Sequence, residues 1–170
     1  MFFLDCEASS LDETASYPIE VAWGHVTTGL ITSYLSNPAA IASWTDWDPA
    51  SQAIHGLSRA YLAEHGLHPR LVAEALVRDL RGQPVYVTAA EDKGWVNELT
   101  LRTLGTLPSI HWHDATEYLW SLAAEWQEEL RTVRTMAWER LAAEGIYPHR
   151  AANDVRHLMM VRRLLLGAGA

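Results

Sequence analysis

Acidic residues at the ends of apolar segments are the groups in this sequence best suited to chemistry. Asp5 and Glu7 close the segment "MFFLDCE", and residues two apart in a strand point to the same face. Two carboxylates held side by side repel each other, and carboxylate oxygens are the ligands that hard divalent cations prefer. Asp92 and Asp154 each stand at the start of a later segment with helical spacing. The four acids therefore indicate a cation site, provided that the fold brings them together.

Taken one at a time, these residues also have structural explanations. An aspartate at a helix start commonly caps the helix or interacts with its dipole, which applies to Asp92 and Asp154. The pair in "MFFLDCE" has no basic residue nearby in sequence to neutralise it. Another candidate, His111 with His113 in "HWHD", lacks the further nitrogen or thiolate ligands that a zinc site needs. A cation site built from the acids is the stronger hypothesis.

Hydrophobic spacing divides the chain into the elements that would position these acids. The first third predicts three strands, with the second and third joined in a hairpin. After Pro49 the spacing is helical, and several helical segments close on a glycine, as helices commonly do. The predicted strands are 1–7, 17–26, 30–36, 84–90 and 108–115; the predicted helices are 58–66, 68–82, 92–104, 116–144 as one or two helices, and 153–166.

This order of elements is typical of an α/β protein with a mixed sheet and helices packed on it. In such sheets ligands bind near strand ends and helix starts. The candidate acids stand at those positions, so we expect them to meet at one edge of the sheet.

Composition and charge restrict the class of protein. The 170 residues are 49% hydrophobic and 20% charged, which predicts a soluble globular protein of one domain, residues 1–170. No apolar run approaches the roughly 18 residues of a membrane span. The single cysteine indicates a reducing compartment, the cytoplasm. A net charge of −8 argues against a protein that coats long duplex nucleic acid, but not against a nuclease whose acids hold metal ions.

Four motifs follow one another in an order found in a known group of nucleases. They are "FLDCE", "IHGLS" at 54–58, "AAEDKGWVNEL" at 89–99 and "HRAANDVRHL" at 149–158. With them the chain resembles the DEDD exonuclease superfamily, which includes the proofreading subunit of DNA polymerase III, ribonuclease T and oligoribonuclease. The spacing of His149 and Asp154 is that of its histidine branch. The resemblance implies a ribonuclease-H-like fold: a five-stranded sheet in the order 3-2-1-4-5, with strand 2 antiparallel and helices on its faces.

The resemblance also implies a role for each acid. Asp5 would bridge two ions, Mg²⁺ or Mn²⁺, with Glu7 and Asp154 on the ion that activates water. Asp92 would serve the second ion through a water molecule. Two ions about 3.5–4 Å apart clamp the attacking and leaving oxygens of a phosphodiester. His149 would be the general base, a role that suits an imidazole.

Two details of the motifs leave alternatives open. Glu91 precedes Asp92 and could take its place, although the spacing from Asp92 to Trp95 fits the family better. Trp95 itself fits either a core position or the lining of the substrate pocket. The segment "DCEAS" also departs from the family, where a threonine and a glycine commonly follow the glutamate.

The resemblance places Cys6, Ala8, His55 and Leu57 at the terminal nucleotide, with Leu57 packing on the base. "IHGLS" is equally typical of a turn followed by a helix that Ser58 caps. The two interpretations are compatible.

The function implied is a metal-dependent 3′–5′ exonuclease that releases nucleoside 5′-monophosphates. The acidic charge favours a short or single-stranded substrate, RNA or DNA, and a homodimer is compatible with the resemblance. Two rival hypotheses are a non-catalytic nucleic-acid-binding module with the same fold and a metal hydrolase acting on small phosphoesters.

Overall fold

The chain forms, in this computed structural model, a five-stranded sheet with helices packed on both faces. The structure describes residues 1–12, 14–123 and 126–167, leaving aside the side chains of 126–129. The strands are β1 Phe2–Ala8, β2 Pro18–His25, β3 Ile31–Leu35, β4 Pro84–Val87 and β5 His111–Asp114. The helices are α1 Pro49–His55, α2 Arg59–His65, α3 Pro69–Leu80, α4 Ala90–Leu104, α5 Ala115–Leu122, α6 Trp126–Ala143 and α7 Ala151–Leu165, and a short 3₁₀ helix spans Pro38–Ala40.

The strand order is β3-β2-β1-β4-β5, and β2 runs antiparallel to both of its neighbours. The pairs β1 with β4 and β4 with β5 are parallel. Parallel neighbours need long crossover connections, which the helices before β4 and β5 supply. The expected α/β fold is confirmed, including the order 3-2-1-4-5 and the antiparallel second strand.

Strand β1 lies in the middle of the sheet, and its two faces differ in chemistry. Leu4 and Cys6 are buried in the core on the face covered by α3 and α4. Phe3 is buried on the opposite face, beneath α5, α6 and α7. Because side chains alternate along a strand, Asp5 and Glu7 share the face of Phe3 and project toward α7. The apolar residues thus anchor the strand that carries the two acids.

Helix α7 packs closely on β2 because two residues of that strand are small. Gly24 has no side chain, and a Cβ atom placed there would meet Met159 Sδ and would lie 2.6 Å from Val155 Cγ1. Ala22, the partner of Asp5 in the β1–β2 register, is fully buried in the same core. The close approach of α7 brings its first turn over the carboxylates of β1.

The structure also differs from the sequence expectations in its element boundaries. Helix α1 was not expected; Asp48 caps it by accepting the N–H groups of Ala50 and Ser51 at 2.9 and 3.3 Å. Helices α4 and α7 each begin two residues earlier than predicted. The stretch 116–144 contains two helices, α5 and α6, with residues 124 and 125 outside the described part. Ser58 caps α2, as predicted.

Among the described residues, no helix combines the length and the apolar character that crossing a membrane requires.

Candidate metal centre

Three of the four predicted acids meet at one edge of the sheet. Asp5 and Glu7 come from β1, and Asp154 comes from the first turns of α7. Each residue offers a carboxylate oxygen, and these three atoms lie within 4.8 Å of one another. Oxygen ligands so closely grouped can bind one cation together, because a metal–oxygen distance of about 2.0–2.6 Å places neighbouring ligands a few ångströms apart.

Asp92 reaches the same edge from the start of α4. It is only 2% exposed, and its Oδ1 accepts the backbone N–H of Cys6 at 3.0 Å, which ties it to β1 between the other two acids. Its second oxygen, Oδ2, is buried and has no hydrogen-bond partner within the described residues. A buried carboxylate oxygen without a partner is costly unless a ligand satisfies it. By contrast, Glu91 is exposed to solvent.

Asp154 is held in place by the backbone that precedes its own helix. Its Oδ2 accepts the N–H of His149 at 2.9 Å and the N–H of Arg150 at 3.2 Å. Such bonds satisfy amide groups at the helix start that have no partner inside the helix. Only one of the two carboxylate oxygens is used in this way.

Burial and mutual repulsion raise the pKa of all four acids. Burial, followed by the charges of Asp92, Asp154 and Glu7, raises the pKa of Asp5 well above its usual value. Burial and the charge of Asp154 raise the pKa of Glu7 to about 8, although the Arg150 guanidinium opposes this shift. Burial likewise raises the pKa of Asp92 to about 7 and that of Asp154 above its usual value. Without a cation the folded chain therefore favours protonation of these carboxyl groups, whereas a bound cation would favour their charged form.

His149 lies beside this cluster, in the loop between α6 and α7. It is exposed, and its backbone has a positive φ of 67°. This left-handed conformation is uncommon for residues other than glycine, although histidine tolerates it better than most. The backbone N–H of His149 donates to Asp154 Oδ2 at 2.9 Å, which places the residue next to the cluster.

Sequence reasoning missed two charged residues next to the cluster. Glu20 lies on β2 directly opposite Glu7 and is 2% exposed. Arg150, the residue after His149, donates to Glu20 from Nε at 2.8 Å. A signal was present, because Glu20 is the one charged residue in the otherwise apolar run from Tyr17 to Gly24, and buried charges normally require a partner.

The residues predicted to contact the terminal nucleotide are buried near the acids. The Cys6 side chain faces the core beneath α4. Only the main chain of Cys6 is therefore placed to make the predicted contact with a nucleotide. Ala8 and Leu57 are 7% and 3% exposed. His55 is 5% exposed; its Nδ1 accepts the N–H of Leu57 at 3.0 Å, and its Nε2 has no partner within the described residues.

Trp95 combines the two predicted roles, a core position and the lining of a pocket. It is half-buried against the core, and its Nε1 donates to Ser16 Oγ at 2.8 Å. The same side chain lines a cavity of about 480 Å³ together with Leu11 and Glu91.

The donor set fits hard divalent cations. Asp5, Glu7 and Asp154 offer grouped carboxylate oxygens, and within the described residues Asp92 has a buried oxygen without a partner. Mg²⁺ and Mn²⁺ prefer carboxylate, carbonyl and water oxygens over nitrogen or sulfur.

Comparison with known proteins relates the chain to solved nuclease structures. The sequence matches no protein-family model and no curated protein. In structure it is similar to E. coli exonuclease I in a zinc-bound complex with single-stranded DNA, at a TM-score of 0.71 and 15% identity over 99% of this chain. Exonuclease I from Methylocaldum szegediense matches with a TM-score of 0.66 and 17% sequence identity over 96% of this chain. A product-bound exonuclease I matches with a TM-score of 0.66 and 12% identity over 98% of this chain. The chain spans 40–43% of the length of these proteins. At such identities the likeness establishes a shared fold.

Proposed function

We propose that this chain is a metal-dependent 3′–5′ exonuclease of the histidine branch of the DEDD superfamily. The observation that carries the proposal is the grouping of Asp5, Glu7 and Asp154, with oxygens within 4.8 Å of one another, beside the buried and unsatisfied Asp92. The fold shared with exonuclease I supports it, since structures of that protein contain single-stranded DNA oligonucleotides.

The four acids would hold two divalent cations, Mg²⁺ or Mn²⁺. Asp5 would contact both ions, Glu7 and Asp154 one of them, and Asp92 the other. Bound cations of this kind neutralise the carboxylates, lower the pKa of a coordinated water and stabilise charge on the phosphate. The chain itself holds these ligands in place: β1 carries Asp5 and Glu7, and the first turns of α4 and α7 carry the other two aspartates.

His149 would accept the proton of the attacking water. It follows Pro148 in an exposed loop, and its backbone N–H is bonded to Asp154 of the cluster. A general base must come within hydrogen-bond reach of the proton that it removes, and such contacts often tighten only when substrate is bound.

The terminal nucleotide would lie between α1 and the cluster, next to His55 and Leu57, with the main chain at Cys6 and Ala8 lining its sugar and phosphate. The unpartnered Nε2 of His55 supports this position, because a buried polar atom requires an acceptor. Single-stranded nucleic acid is the preferred substrate, in keeping with the acidic charge and with the oligonucleotides in the exonuclease I structures.

Digestion of defined oligonucleotides tests this proposal. The purified chain, with Mn²⁺ or Mg²⁺, should release mononucleotides from the 3′ end of labelled single-stranded DNA or RNA, and more slowly from blunt duplexes. EDTA should abolish the release. Side-by-side digestion of RNA and DNA of one sequence would establish the sugar preference.

Matched variants separate the site from its surroundings. Asp92→Asn should remove almost all activity, whereas Glu91→Gln, its exposed neighbour, should retain wild-type activity. No metal-dependent release by the wild type, with oligonucleotide binding preserved, would favour the binding-module hypothesis. Turnover of a generic phosphoester without preference for a free 3′ end would favour the small-phosphoester hydrolase.

We further propose that residues 1–170 form one exonuclease domain that works in the cytoplasm, where the single cysteine would stay reduced. The homodimer stays a prediction, which sedimentation equilibrium of the purified chain would decide.

A further inference from the structure

Glu20 is a buried carboxylate whose bonds converge on one short segment. Its side chain is 3% exposed, and its oxygens accept Arg150 Nε at 2.8 Å and Nη2 at 3.3 Å, together with the backbone N–H of Ala151 at 3.2 Å. Ser33 Oγ donates the fourth bond at 3.1 Å. Both oxygens are thus used within the protein, which sets Glu20 apart from the acids that offer free oxygens to a cation.

The segment 149–151 is fixed from two sides. Asp154 binds the N–H groups of His149 and Arg150 from within α7, and Glu20 binds the guanidinium and the N–H of Ala151 from the sheet. An arginine–carboxylate pair with two bonds constrains direction as well as distance. The hydrogen bonds to Asp154 and Glu20 therefore hold the main chain of residues 149–151 in one conformation.

This backbone conformation sets the position from which the His149 side chain leaves the main chain. Among the described residues no hydrogen bond holds the ring of His149; its hydrogen bond to Asp154 is made by the backbone N–H. The position of the ring depends on the backbone, which has a left-handed φ of 67° at this residue. A conformation of this kind persists only where neighbouring contacts enforce it.

We infer that Glu20 and Arg150 are a positioning pair, which holds the 149–151 backbone against β2 and so keeps His149 beside the acidic cluster. The inference rests on the proposed function, in which His149 is the general base. It assigns no contact with the reacting atoms to either residue: both act through His149.

Kinetics of Arg150→Gln, Arg150→Lys and Glu20→Gln test the pair. With 3′-labelled oligo-dT and Mn²⁺, Arg150→Gln and Glu20→Gln should lower kcat by about 100-fold, the loss expected for a misplaced catalytic group, with little change in KM. Arg150→Lys keeps the charge but not the two-bond geometry, so it should lower kcat less. Leu80→Ala, a buried truncation just before β4 and away from the acids, controls for loss of stability alone and should retain kcat at temperatures where it is folded.

A double-mutant cycle distinguishes a role of Arg150 in positioning His149 from a role in overall stability. If Arg150 acts through His149, Arg150→Gln should cost no further activity in a His149→Ala background. Equal losses in both backgrounds, or a wild-type kcat in Arg150→Gln, would overturn the inference. The milder Arg150→Lys serves in the same cycle if Arg150→Gln does not fold.

A measurement without metal or substrate keeps this test separate from that of the proposed function. Amide hydrogen exchange of the metal-free protein should show the His149 N–H at least about 10-fold less protected in Arg150→Gln than in the wild type, while amides in α3 stay unchanged. Unchanged protection at His149 would refute the pair. Failure of the exonuclease proposal would instead appear as an inactive wild type, whatever the exchange result.

Discussion

His55 is almost inaccessible to solvent, yet only one of its ring nitrogens has a partner among the described residues. Because Nδ1 accepts the N–H of Leu57, the proton of the neutral ring is on Nε2. Burial, and next the charge of Arg150, lower the pKa of His55, so the ring stays neutral at physiological pH. His55 thereby presents one directed N–H, suited to an oxygen acceptor of the terminal nucleotide.

Replacing His55 with asparagine should weaken substrate binding. The asparagine Oδ1 can still accept the N–H of Leu57, but the Nε2–H donor is lost. We expect KM to rise by about 10-fold, the worth of one hydrogen bond, with kcat close to that of the wild type. Steady-state kinetics on a labelled single-stranded oligonucleotide measure both. His65→Asn, at an exposed histidine that ends α2, is the control; an unchanged KM in His55→Asn would contradict this role.

The repulsion at Asp5 gives a second prediction for a single residue. In the metal-free protein near pH 8, Asp5→Asn should raise the melting temperature, because it removes a carboxyl group that folding must either bury in its charged form or protonate. Each kcal/mol gained corresponds to about 2–4 °C for a chain of this size. Mn²⁺ or Mg²⁺ should raise the melting temperature of the wild type, and the variant should gain less. Thermal unfolding with EDTA and then with added metal gives both values; an equal gain in the two proteins would count against a metal-binding role.

At the scale of elements, α7 links the sheet to the site. Its first turns carry Asp154, its start is bonded to Glu20, and its middle lies against Gly24 of β2. The distance between helix and strand therefore controls where Asp154 lies relative to β1.

Gly24→Ala should push α7 away from the sheet. The new Cβ would overlap Val155 and Met159, and overpacking of this kind costs about 1–3 kcal/mol of unfolding free energy. Urea unfolding measures the loss, and metal affinity should fall with it because Asp154 moves. Gly94→Ala is the matched control: nothing lies within 4 Å of its added Cβ, so this change in α4 should stabilise by about 0.5–1 kcal/mol. Equal stability of the two variants would argue against close α7 packing.

Much of the element pattern could be predicted from sequence because it is local. β1 and the hairpin follow from alternation and turn residues, whereas the sheet order came from the family resemblance that the motifs carry, which also supported the choice of the four acids. Helix α1 was missed because seven residues carry little periodicity, although Asp48 followed by Pro49 is a helix-start signal. The contact of Glu20 with Arg150 joins residues 130 positions apart, and no local pattern encodes it. The left-handed backbone of His149 depends on that same packing.

At the scale of the whole molecule, the raised pKa values make stability depend on pH when metal is absent. Because the folded pKa values of the acids at the site exceed those of the unfolded chain, these acids lower stability as pH rises from about 4 to 8. Burial lowers the pKa of His157 to about 4, which opposes this trend below about pH 6.5, so the net fall in stability is expected above that pH. The contributions of Glu7, with a pKa of about 8, and of Asp92, with a pKa of about 7, are complete near pH 8.

The metal-free protein should therefore be more stable at pH 6 than at pH 8.5, and saturating Mn²⁺ should reduce this difference. Urea unfolding in EDTA at the two pH values, repeated with metal, tests the expectation. Asp5→Asn should show a weaker dependence on pH than the wild type. Equal stability at both pH values without metal would contradict the electrostatic description of the site.

The packing of β1 also makes the protein convenient to label. Its single cysteine, Cys6, is 7% exposed, and burial together with the charge of Asp92 raises the pKa of its thiol well above the usual value. Since the thiolate is the reactive form, maleimides should modify native Cys6 very slowly. A cysteine introduced at exposed Tyr61, on α2, would then take up a fluorophore selectively in the otherwise natural chain. Such a probe could report the arrival of each oligonucleotide during single-molecule digestion.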